Sequence, residues 1–410
     1  MVENQTSTQP RRHFIAQCFS GITALTLTPN LFGQFNKPIA QRYHSQPWLE
    51  LSESAYLHNA SQISKMAGSK PVMAVLKNNA YGLGDVQVAN MLDASPHIFG
   101  VAVVKDDRAM AIRKGGFTKP ILLMGDFDEA NAQKLVENDI VLSVFSQSSL
   151  DKIQALAATV QKRIPVALYI DTGLGRMGIP YEETFSIAQS IAKNENLEIV
   201  QTFSTLTTPK DFAEEQIQRF NRIIKKLEDQ NISYGVKHLA PSYSLLDVSD
   251  SHQDMVRPGI LVHGSFPLAK MDQAQKYPLQ VPFRLKALVI RLEKLKPGDT
   301  IGFSRFYKVE KDEWIATLPV GWADGYDSGA ENGAKVLLGD KLYPVVNVNA
   351  SHTNVSLGIE TDLQVGDVAT LMGPDRPEIT PEGFANLIDG NNYLQINYKE
   401  SIPKKTYETF

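Results

Sequence analysis

Lys77 closes an apolar, β-rich run, Val72–Leu76, and opens the stretch Asn78-Asn79-Ala80-Tyr81-Gly82-Leu83-Gly84. An amine at the end of an apolar strand is poorly hydrated, which lowers its pKa and suits Schiff-base chemistry. Taken alone, it reads rather as a solvated surface charge. Three other segments add chemistry. Asp171-Thr172-Gly173-Leu174-Gly175-Arg176-Met177-Gly178 is a glycine-rich turn that presents an arginine. Ser242 opens a short helical stretch, where a hydroxyl and backbone N–H groups could cap a phosphate. Val256-Arg257-Pro258-Gly259-Ile260 adds a second arginine, and a glycine that lets an anion approach the backbone. The plain alternatives are a tight turn with a surface arginine and an N-cap serine.

The elements around these residues give them a common address. From about residue 48 to 265, short apolar runs alternate with helical stretches. The runs are Val72–Leu76, Ile98–Val103, Pro120–Met124, Ile140–Phe145, Val166–Ile170, Glu198–Phe203, Tyr234–Leu239 and Met255–Val262. Helical stretches such as Lys105–Lys114, Ser148–Ala158, Glu182–Ala192 and Asp211–Leu227 separate them, and a helix over Leu51–Met66 precedes the first. Strands joined by helical crossovers are parallel, and about eight such units fit a (β/α)8 barrel. In a barrel the chemistry sits at the carboxyl ends of strands, and phosphate sites favour the loops after strands seven and eight. Ser242 and Gly259 fall there. A lysine, a phosphate cradle and an inward Arg257 together describe a site for pyridoxal 5'-phosphate (PLP).

After about residue 275 the pattern changes. Phe283–Leu295, Trp314–Leu318, Lys335–Leu338, Tyr343–Val348 and Val368–Leu371 are β-rich runs between Gly, Pro and Asp turns. The expected organisation is a leader over 1–44, a barrel over 45–275 and a mostly β C-terminal domain over 276–410.

The motifs resemble those of the alanine racemase family, PLP enzymes with a (β/α)8 barrel followed by a β domain. Ala74-Val75-Leu76-Lys77-Asn78-Asn79-Ala80-Tyr81-Gly82 is similar to the family's coenzyme-lysine motif. The Arg176 turn, Val256-Arg257-Pro258-Gly259 and Leu318-Pro319-Val320-Gly321-Trp322-Ala323-Asp324-Gly325-Tyr326 follow in family order, and Asn392-Tyr393 closes the series. The resemblance spans about residues 47 to 400. It implies that Lys77 binds PLP and serves as one racemisation base. It implies that Tyr81, Ser242, Gly259, Ile260 and Tyr393 hold the phosphate, that Arg176 meets the phenolic oxygen and that Arg257 faces the pyridine nitrogen. A permanently charged guanidinium leaves that nitrogen unprotonated, which favours simple proton return over decarboxylation or transamination. A homodimer with a shared site is also implied, with Trp322 and Ala350 facing the substrate.

The departures are specific. The family's second base is a tyrosine, and here that position is Trp322, whose indole has no proton to exchange near neutrality. The family's ring-stacking histidine is matched by Phe203, which can still stack. The lysine two residues before the Asp is Tyr169, the Asn before the phosphate serine is Pro241, and a Met-Asp pair is Ala350-Ser351. Tyr169 and His352 are the alternative proton-transfer candidates; Tyr326 reads as packing. Racemisation or epimerisation of a free amino acid is the expected activity. The alternatives are a PLP or amino-acid binding protein without turnover, and a PLP enzyme of altered reaction type.

Composition excludes other classes. Of 410 residues, 43% are hydrophobic and 21% charged, an ordinary globular profile. The net charge of −4 with no basic stripe gives nucleic acid no electrostatic footing. No apolar run approaches a membrane span, and the histidines have no metal-ligand spacing. Within the first 44 residues, Arg11-Arg12-His13-Phe14-Ile15 and the apolar stretch to Leu27 read as a twin-arginine export signal, with periplasmic location as the expectation. The single cysteine, Cys18, would leave with it.

Overall fold

A computed structural model describes residues 46–267, 276–392 and 395–407. The expected leader, with Arg11, Arg12 and Cys18, lies outside the described residues, as does Tyr393. The described residues fall in one compact unit.

Seven strands run parallel in chain order: Val72–Val75, Ile98–Val103, Ile121–Leu123, Ile140–Val144, Ile164–Asp171, Leu197–Phe203 and Val236–His238. An extended segment, Met255–Pro258, closes the sheet on itself. The Met73 N–H donates to the Val256 carbonyl and the Val75 N–H to that of Pro258, both at 2.9 Å, while the Arg257 N–H donates to Ala240 at 2.8 Å. Bridges from Val256 to Val72 and from Met255 to His238 mark the same closure. The expected (β/α)8 barrel is therefore complete, with Arg257 on its closing strand.

The strands' two-residue period sorts their side chains. Met73, Val75, Ala102, Leu122, Val141, Ala167, Phe203 and Met255 meet inside the barrel. Val72, Ala74 and Leu76 point the other way, into the layer beneath the helices. Each helix offers one apolar stripe to that layer. Lys210–Asp229, for example, buries Ala213, Ile217, Phe220, Ile224 and Leu227 at helical spacing.

The second sheet has nine strands. Its spatial order is Arg291–Leu295, Glu313–Leu318, Thr353–Gly358, Lys341–Val348, Lys335–Leu338, Val368–Met372, Phe283–Leu288, Trp48–Ser52 and Lys404–Tyr407. Two features differ from expectation. Trp48–Ser52 pairs with Phe283–Leu288 and Lys404–Tyr407, so the start of the 45–275 segment belongs to the β sheet rather than the barrel. The helix expected from Leu51 begins at Glu53, because the Ser52 hydroxyl caps the Ala55 N–H at 3.2 Å. The β domain also carries a helix, Pro381–Leu387, with Thr380 as its cap and proline at its first position. Among the described residues, no helix is long and apolar enough to cross a membrane.

Candidate active site

Lys77 stands at the carboxyl end of the first barrel strand, at the start of an unusual turn. Asn78, Asn79, Ala80 and Tyr81 all have positive φ, between 50° and 58°, and Gly82 follows at 87°. Asparagine tolerates this left-handed region, but Ala80 and Tyr81 each cost about 1–2 kcal/mol there, so the turn persists only because its surroundings over-determine it. The Ala80 N–H donates to Leu76 at 3.0 Å, and the Gly84 N–H donates to Asn79 at 2.9 Å. A Cβ on Gly82 would lie 2.3 Å from the Tyr398 nitrogen, so only glycine fits. The turn folds Tyr81 back toward the lysine, with Nζ 5.9 Å from the ring centroid. Burial, then the charges of Arg176 and Arg257, lower the Lys77 pKa from its ordinary value. More of the amine is therefore neutral, and nucleophilic, near pH 7.

The strand-seven and strand-eight loops meet Tyr81. The Ser242 hydroxyl oxygen accepts the Gly259 N–H at 3.0 Å. A Cβ on Gly259 would sit 2.3 Å from the Tyr81 phenol oxygen. The Tyr81 and Ser242 hydroxyls thus converge on the Gly259 backbone where no side chain fits between them, a hydroxyl pair that suits a phosphate. Ile260 is fully buried at the start of the turn Ile260–His263. The Tyr81 ring is fixed edge-on by buried His263, at 5.1 Å between centroids. His263 in turn meets the Tyr56 hydroxyl at 3.2 Å.

Arg257 is buried, and both of its terminal nitrogens are hydrogen-bonded. Nη1 donates to His238 Nδ1 at 2.6 Å; Nη2 donates to the Ser204 carbonyl at 2.6 Å and the Thr205 hydroxyl at 3.0 Å. A guanidinium only donates, so His238 Nδ1 is unprotonated, and its Nε2–H donates to Gln201 Oε1 at 3.1 Å. Burial, then Arg257, holds the His238 pKa well below 6.5. Burial pushes Arg257 itself down to about 10, which leaves it cationic at neutrality. Phe203 lies between Tyr169 and His238, stacked at 4.3 Å on one side and 5.0 Å on the other. Tyr169 is therefore buried in a ring stack at the barrel mouth. The donor chain from Arg257 through His238 to Gln201 was not anticipated from sequence; a histidine and a glutamine at inward strand positions were its only signal.

Arg176 is exposed on the Asp171–Gly178 turn. The Asp171 carboxylate ties that turn by accepting the Gly173 N–H at 2.9 Å and the Gly175 N–H at 3.1 Å. Buried Gln216 joins this turn to the loop below Arg257. Its amide donates to the Thr172 hydroxyl and the Thr205 carbonyl, both at 3.2 Å.

Trp322 and Ala350 come together at the ends of two strands of the β sheet. The Trp322 N–H donates to Asn349 at 3.1 Å and the Ala323 N–H to Ala350 at 3.0 Å. Trp322 is 56% exposed, and with exposed Phe303 and Phe306 it lines a cavity of about 500 Å³. His352 is held by the Ser351 hydroxyl at 3.0 Å. Tyr326 is buried edge-on against Phe384, a packing role.

Comparison with known proteins agrees with this geometry. Residues 51–267 match the family model "Alanine racemase, N-terminal domain" and residues 282–405 match "Alanine racemase, C-terminal domain". The chain is 31% identical over 368 residues to alanine racemase of Desulforamulus reducens, covering 88% of this chain and 98% of that protein. It is 30% identical over 353 residues to that of Methanococcus maripaludis, covering 84% and 94%. Its fold is similar to the solved alanine racemase of Clostridium difficile, with a TM-score of 0.81, 26% identity and coverage of 89% and 96%. It is also similar to that of Bacillus anthracis with bound L-Ala-P, with a TM-score of 0.79, 25% identity and coverage of 90% and 96%. The chain belongs to the alanine racemase family, whose members are PLP-dependent.

Proposed function

We propose that this protein is an amino-acid racemase that holds PLP at Lys77 and exchanges the Cα proton of a free amino acid. The observation that carries this is the convergence at one barrel mouth of Lys77, the Tyr81–Ser242–Gly259 cluster and Arg257. When bound, PLP supplies the electron sink that acidifies the Cα proton. Lys77 Nζ, with its lowered pKa, would take the proton from its own face of Cα, or deliver one to that face in the reverse direction. Tyr81, Ser242 and Gly259 would hold the phosphate beside Ile260, and the family resemblance assigns Tyr393 to the same role. Arg176 meets the phenolic oxygen. Arg257 faces the ring nitrogen, and its bond to neutral His238 holds it there as a cation. Phe203 supports the ring.

The opposite face of the substrate is the distinctive one. Trp322 takes the position of the family's tyrosine and offers no titratable proton. The proton on that face therefore comes from another group or from water, and slow turnover follows, since a missing general base typically costs about 10²–10⁴-fold. The exposed aromatic patch of Trp322, Phe303 and Phe306 supports a homodimer in which Trp322 and Ala350 enter the partner's site. The Arg11-Arg12 motif supports export to the periplasm.

The deciding experiment incubates PLP-loaded protein with single L-amino acids, L-alanine included, in D2O. Loss of the Cα proton signal with appearance of the D-enantiomer is expected for at least one of them. Bound amino acids without Cα deuteration would make the protein a non-catalytic binder, and release of keto acid or ammonia would make it a lyase or aminotransferase.

A further inference from the structure

An ion network beside the Lys77 turn takes no part in the chemistry above. Asp85 opens the helix Asp85–Asp93, and its carboxylate is fully buried. Arg108, on the helix Asp106–Lys114, forks onto it: Nε donates to Oδ2 at 2.7 Å, and Nη2 donates to Oδ1. The remaining nitrogen, Nη1, reaches Glu400 Oε1 at 3.2 Å. Each end of this bridge bears on the turn. On one side, the Asp85 N–H donates at 3.1 Å to Oδ1 of Asn79, in the middle of the left-handed residues. On the other, Glu400 lies two residues past Tyr398, whose backbone presses on Gly82. Lys404 ties the same segment together by donating to the carbonyls of Glu400 and Ile402, each at 2.9 Å, while its stem covers Gly84.

A run of left-handed L-residues has no favourable geometry of its own, so the groups that fix its two ends decide where its side chains point. We infer that Arg108 is a positioning residue for Lys77: by gripping Asp85 and Glu400 together, it holds the left-handed turn that aims Nζ and the Tyr81 hydroxyl into the barrel mouth. A lysine at position 108 would keep the charge but could not reproduce the fork onto Asp85. The inference rests on the proposed role of Lys77 for its coenzyme readout, and on the turn alone for its exchange readout.

The test uses the full chain as wild type, Arg108→Met and Arg108→Lys. PLP titration followed by visible absorbance is run beside amide hydrogen exchange over residues 78–84. The expected result for Arg108→Met is an apparent PLP Kd raised roughly 10–100-fold and faster exchange over 78–84. Arg108→Lys, which keeps the charge and serves as the readout should Arg108→Met not fold, is expected in between. A wild-type Kd together with unchanged exchange over 78–84 in the folded variants would overturn the inference. So would a loss of protection spread evenly over the chain, which is the mark of a merely structural residue. If wild type itself takes up no PLP, the coenzyme reading fails and the exchange comparison decides the inference.

Discussion

Arg257 donates from Nη1 to the bare Nδ1 of His238 at 2.6 Å, and the bond defines both partners. It forces the His238 proton onto Nε2, where Gln201 accepts it. It also leaves the guanidinium one fixed direction in which to present its charge. Replacing His238 with Leu removes the acceptor while leaving the Phe203 stack a hydrophobic neighbour. Racemisation is expected to fall by about 10–100-fold in kcat with PLP still bound, equivalent to about 1.4–2.7 kcal/mol. Steady-state kinetics on PLP-saturated protein check this. An unchanged kcat would remove His238 from the account.

Two buried neutral histidines contribute to the acid limb of stability. Burial lowers His238 well below 6.5 and His263 to about 3. At these two sites the unfolded chain therefore binds more protons between those folded values and about 6.5, so their contribution to stability is constant above that window and falls as pH drops through it. Each histidine steepens the fall by up to about 1.4 kcal/mol per pH unit. Urea unfolding at pH 8, 6.5 and 5 is expected to give its decline between the last two. His263→Gln is expected to flatten that decline.

Gly259→Ala separates phosphate binding from the rest of coenzyme binding. The added Cβ would displace the Tyr81 hydroxyl from 2.3 Å, and His263 leaves that ring little room to yield. A roughly 10-fold or greater weakening is expected for PLP, but little change for pyridoxal, which lacks the phosphate. Equal losses for both would place the phosphate elsewhere.

The residues most readable from sequence were those whose chemistry and strand position agreed. Lys77, Ser242, Arg257 and Gly259 lie at or just beyond the carboxyl ends of barrel strands, and barrel geometry alone sends such residues to one mouth. The left-handed turn was half visible, because asparagines tolerate that conformation, whereas Ala80 and Tyr81 carry no such signal. Trp48–Ser52 was missed because its partners, Phe283–Leu288 and Lys404–Tyr407, lie at the far end of the chain, and short-range pattern cannot see them. The His238–Gln201 pair and the Arg108 bridge depend on side chains meeting across separate elements, which periodicity does not encode.

If Trp322 faces the substrate as proposed, Trp322→Tyr returns a titratable group to the substrate's second face. Exchange of the Cα proton is expected to rise by about 10²-fold or more, with the larger gain for the enantiomer that Lys77 does not deprotonate. Deuterium incorporation measured separately for L- and D-substrate checks it. A gain absent in both directions would show that Trp322 does not face the substrate.

Sizing chromatography at micromolar concentration is expected to give twice the chain mass, and the Trp322→Tyr gain should disappear from any monomeric fraction. A monomer with full activity would contradict a site shared across two subunits.

The most direct measurement is borohydride reduction of the PLP-loaded protein followed by peptide mass spectrometry. The coenzyme mass is expected on the peptide containing Lys77, with the visible band lost on reduction and never formed in Lys77→Ala. Coenzyme trapped on another lysine, or a visible band that survives in Lys77→Ala, would contradict the account.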